Sequence, residues 1–98
     1  MDDARMNHIR YCLDRMGNAA LAAVAHADTA PEIREAVRKA ANVASPTAQG
    51  WTEAVTVCRE RVKAGDKLAA YSLDQCLLAL SMCRSAALLN GGWGEWTR

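Results

Sequence analysis

His8 and Cys12 stand four residues apart, the spacing at which two side chains on one helical face can hold the same metal ion. Zinc would need two more ligands, and the chain offers Cys58, Cys76, Cys83 and His26 for the task. Helix packing could bring Cys58 near Cys83, but no CxxC or HxxxH spacing supports a site, so no metal and no cofactor are assigned. The plainer reading has Cys12 flanking a core and His8 facing water. A nucleophilic cysteine needs a base to hold its thiolate and a donor for the oxyanion. Neither His8 nor His26 lies in a glycine-rich turn or beside an acid in a catalytic pattern. Paired carboxylates, a P-loop and a dinucleotide fingerprint are also missing, and the chain reads as non-enzymatic. A metal- or thiol-dependent regulator using His8, Cys12 and the two cysteines of the last helix is the alternative reading.

Those residues need elements to position them, and composition says which kind. Ninety-eight residues make a single helical domain, enough for one core. Twelve Lys and Arg against eleven Asp and Glu leave a net charge of +1, with no block of like charge to draw the chain to nucleic acid or an anionic membrane. The longest apolar run, residues 19–25, falls far short of the roughly 20 residues that span a bilayer. Asp2, Asp3 and Asp14 occupy the place of a basic signal-peptide region. A soluble, cytoplasmic protein is the expectation, with its thiols reduced. Cys76 and Cys83, seven apart on one helix and so ~10.5 Å along its axis, are too far apart to pair. Twenty alanines and no phenylalanine point to closely approaching helices around a thin core, and to a bacterial or phage genome.

The apolar spacing predicts an all-α, four-helix bundle with helices at about 3–27, 30–44, 46–64 and 73–89. Met6, Ile9, Leu13, Met16, Ala20, Ala23 and Ala27 alternate steps of three and four, one seam carried across Gly17 and Asn18. Thr29, Pro31 and Glu32 form a capping box for the second helix, seamed by Ile33, Ala36, Ala40 and Val43, with Glu35 and Lys39 in the favourable order. Ser45 and Pro46 start the third, which runs through Ala48, Trp51, Val55, Cys58 and Val62 to a stop at Gly65. Ser72 to Gln75 reads as a second capping box, with Tyr71 and Cys76 as its staple, and residues 91–98 as a flexible or back-folded tail.

The fourth helix carries more apolar residues than one seam uses. Leu73, Cys76, Leu80, Cys83 and Ala87 serve the core, with Leu77 on the flank. Leu78, Met82 and Leu89, with Leu88 close by, point elsewhere. Exposed contiguous apolar surface marks interfaces, and Trp93 and Trp96 in the tail are of the type enriched at binding hot spots. The expected function is non-catalytic: a protein–protein interaction module that binds or inhibits a larger partner, or self-associates, through Leu78, Met82, Leu88, Leu89, Trp93 and Trp96. An adaptor or a phage-type inhibitor of a host complex fits by size and class alone. DNA binding through Arg59, Arg61, Lys63 and Lys67 is disfavoured by the interleaved Glu53, Glu60 and Asp66.

Overall fold

The computed structural model describes residues 3–42 and 47–91. Four helices, α1 (Asp3–Ala23), α2 (Pro31–Ala41), α3 (Ala48–Lys63) and α4 (Ala69–Asn90), pack as a small all-α bundle 49 Å long and 19 by 17 Å across. Among the described residues there is no strand, and no helix is long and apolar enough to cross a membrane.

The closest packing joins the two helices farthest apart in sequence. α1 lies antiparallel along α4; α3 lines α4 on a second side, α2 lies against α3, and the α1–α2 side is only lightly closed. Two hydrogen bonds set the α1–α4 register. Ser72 Oγ donates to the carbonyl of Ala23 at 2.6 Å, and Arg5 donates to the carbonyl of Leu89 at 2.9 Å. Both acceptors belong to a last helical turn, where carbonyls have no intrahelical partner. Each helix thus completes the C-terminal end of the other.

The interior is built from small residues. Met16, Ala19, Ala20 and Ala23 of α1 meet Ala69, Cys76, Ala79, Leu80 and Cys83 of α4, with Ile33 and Val37 of α2 and Val55 and Cys58 of α3 completing one cluster. Trp51 is its one large ring, fully enclosed, and its indole N–H has no partner. An orphaned donor of that kind costs about 1 to 3 kcal/mol, set against the apolar area the ring buries. α2 and α3 approach so closely that a Cβ on Gly50 would stand 3.2 Å from the Ala40 Cα.

Several helix ends differ from the expectation. α1 is one helix across Gly17 and Asn18 but stops at Ala23 rather than residue 27, because the guanidinium of Arg34 collects the carbonyls of Val24, His26 and Ala27 at 3.1, 2.5 and 3.4 Å. The Thr29 capping box does not form. Ala30 holds the cap position of α2 without a side-chain bond, Pro31 opens the helix, and Glu32 turns to Arg61 instead. Glu35 pairs with Arg38, not Lys39, through two hydrogen bonds of 2.6 and 3.0 Å. α2 ends at Ala41, and Val43, Ala44, Ser45 and Pro46 lie outside the described residues. Thr47 caps α3, accepting from the Gly50 N–H at 3.4 Å.

The C-terminal stop of α3 is as read. Gly65 adopts φ +89°, and the N–H groups of Gly65 and Asp66 return to the carbonyls of Val62 and Arg61, a pairing that satisfies the last turn and requires a left-handed residue. α4 then begins four residues early, at Ala69, with Asp66 Oδ1 accepting from the Leu68 N–H at 3.1 Å. Ser72 is therefore no cap: it sits inside the helix, 2% exposed, and Tyr71 faces outward rather than stapling to Cys76.

Ser72→Ala should lower stability by about 1 to 3 kcal/mol, since it strands the Ala23 carbonyl, and Ser72→Asp should cost more by burying a charge. Urea unfolding of both variants measures this. Aspartate tolerated at position 72, as a helix cap would allow, would contradict the assignment.

Candidate interaction surface and the buried thiols

The outer side of α4 carries two exposed leucines, one of them almost wholly in solvent. Leu77 and Leu88 are eleven residues apart, three turns plus about 20°, and so project from nearly one line. Leu77 is 38% exposed and Leu88 83%, with exposed Ser81 and Arg84 between them. The other predicted interface residues divide differently. Leu78 and Met82 are half-buried and pack against the core cluster. Leu89 is half-buried beside the Arg5 contact. Trp93 and Trp96 lie outside the described residues. Of the apolar surplus recognised on this helix, Leu88 is the member that stands clear. Leu77, assigned to the core flank from its spacing, joins it.

α1 and α3 cover α4 from two directions. That double cover pulls Leu78 and Met82 toward the interior. Leu77 lies with Asp74, Ser81, Arg84 and Leu88 on the exposed face of α4.

His8 and Cys12 share a helix but not an environment. Cys12 is buried at 3% exposure, whereas the His8 ring meets Tyr11 edge-on outside, 6.2 Å between centroids. Arg15 covers the same tyrosine at 5.9 Å. The thiols that come together are Cys58 and Cys76, Sγ to Sγ 3.8 Å, and not Cys58 with Cys83. Among the described residues no three His, Cys, Asp or Glu side chains converge as a metal site would require.

All four cysteines are free and buried. The Cys76 thiol is pushed far up by its hydrogen bond to Cys58 and by burial; Cys58 is drawn down by the same bond against the opposing effect of its own burial. Burial raises Cys12, and it raises Cys83 to about 11. At pH 8 Cys83 is thiolate in only about one molecule in a thousand, which suits a packing group and not a nucleophile. Several arginines are likewise engaged: Arg61 with Asp66 and Glu32, Arg38 with Glu35, and Arg34 with the α1–α2 turn.

No family model, curated protein or solved structure matches the chain.

The raised Cys83 gives a pH dependence. The unfolded chain releases this proton near its ordinary value of 9.0, while the folded state holds it to about 11. The contribution is present in full below pH 9 and is lost as pH rises toward 11, at up to about 1.4 kcal/mol per unit. Chemical denaturation of wild type and Cys83→Ala across pH 8 to 11 should show a shallower alkaline decline in the variant; parallel curves would refute the shift.

Proposed function

We propose that the chain is a non-catalytic, cytoplasmic protein-binding module that docks a larger protein, or a second copy of itself, through the outer face of α4. The observation that carries this reading is Leu88, 83% exposed and aligned with Leu77 on the longest helix. Burying an exposed leucine side chain is worth about 1.5 to 3 kcal/mol, so Leu88 offers a partner most of that and Leu77, 38% exposed, a smaller share. Arg84 between them supplies a charged contact for orientation, and Trp93 and Trp96 follow within a few residues of the same helix end. Adaptor and inhibitor roles both fit a module of this kind.

The four buried, free thiols support the same reading, as they are placed for packing. Of the cations on α3, Arg61 is already engaged with Asp66 and Glu32, which withdraws one charge from a phosphate-binding face.

Leu77→Asp with Leu88→Asp should abolish capture of a partner from the source cell and any self-association seen by light scattering. The circular dichroism spectrum should stay helical. Leu78→Asp should instead lower thermal stability, since that side chain packs on the core. An unchanged partner set and mass for the Leu77/Leu88 variant would overturn the proposal.

A further inference from the structure

A cleft of about 390 Å³ opens at the end of the bundle where the α1–α2 turn meets the start of α4. We infer that this cleft is a binding site for a small, uncharged, largely apolar molecule bearing one polar group, of the phenol or indole type.

The volume lies within the range of small-molecule pockets, about 300 to 1,000 Å³. Its walls are the methyls of Ala22, Ala23 and Ala25, the side chain of Leu68 and the ring of Tyr71. The floor is the Ser72–Ala23 hydrogen bond, and Arg34, holding three carbonyls of residues 24–27, stiffens the turn that forms one wall.

Three polar side chains converge on this space. Ser72 has already given its proton to Ala23, so it offers the cleft an acceptor only. His26 accepts the Asp28 N–H on Nδ1 at 3.0 Å, which leaves its Nε2 side as the donor. Thr29 lines the cleft and does not cap α2, where Ala30 holds the cap position. Its hydroxyl is not among the buried polar atoms left without a partner; it is reached by solvent and is open to a ligand that enters beside it. No Asp, Glu, Lys or Arg lines the cleft, so nothing there balances a charged ligand.

The test is a backbone-amide NMR titration of the full chain with 4-methylphenol and with toluene. Both probes should give saturable shifts confined to residues 22–29 and 68–72. Ala25→Trp, at an exposed position, should fill the cleft and abolish them while the remaining spectrum is kept. Thr29→Val should weaken 4-methylphenol about fivefold to tenfold and leave toluene within about twofold. Absence of confined, saturable shifts, binding that survives Ala25→Trp, or a Thr29→Val effect that is equal for both probes would each overturn the assignment.

Discussion

The bundle depends on the clasp between α1 and α4. Ser72 reaches from the first turns of α4 to the last carbonyl of α1, and Arg5 reaches from the start of α1 to the last turn of α4. Each bond supplies a donor where a helix end lacks one, and Arg5 also places positive charge at the negative end of the α4 dipole. The two contacts are separated by nearly the full length of both helices. Together they fix rotation and register, so the seam from Ile9 to Ala23 faces that from Ala69 to Ala87. α3 and α2 then pack onto a template already defined.

Such a template suits a core made of alanine and cysteine. Small side chains let helix axes come close and give little area per residue, so stability rests on good fit and not on bulk. Cys58, Cys76 and Cys83 are fully buried, acting as small hydrophobes slightly larger than alanine. Trp51 fills what remains on the α3 side, and the unpaired indole N–H shows that volume decided its presence. Gly50 against Ala40 applies the same economy between α2 and α3.

Helix number, class and most of the core were legible in the sequence, since the three-and-four spacing of Ile9, Met16, Ala20 and Ala23 and of Cys76, Leu80, Cys83 and Ala87 survives any packing arrangement. The ends were less so, for a shared reason. Thr29 and Ser72 both carry the local signature of a cap, and both are diverted by tertiary contacts: Ser72 by a carbonyl forty-nine residues away, Thr29 by enclosure under the α1–α2 turn. Arg34 gave no local hint that it would end α1, because its three acceptors come together only once that turn is folded. Of the apolar residues of α4 outside its seam, Leu88 is exposed as the spacing suggests, while Leu78, Met82 and Leu89 are half-buried and Leu77 is exposed, because spacing alone does not reveal that α4 is covered from two directions.

The diverted caps and the exposed leucines follow from one economy. A serine drawn inward to complete α1 moves the start of α4 back to Ala69, and this carries Leu68 and Tyr71 to the rim of the loop end while leaving Thr29 enclosed. A cleft at that end is what remains when alanines, not larger residues, line the place where two turns meet. Toward the other end of α4, Leu88 lies on the face turned away from the core and stands exposed. The same thin core therefore leaves free apolar surface at two separate places, a concave one suited to a small molecule and a convex one suited to a protein, and the rigid α1–α4 pair connects them.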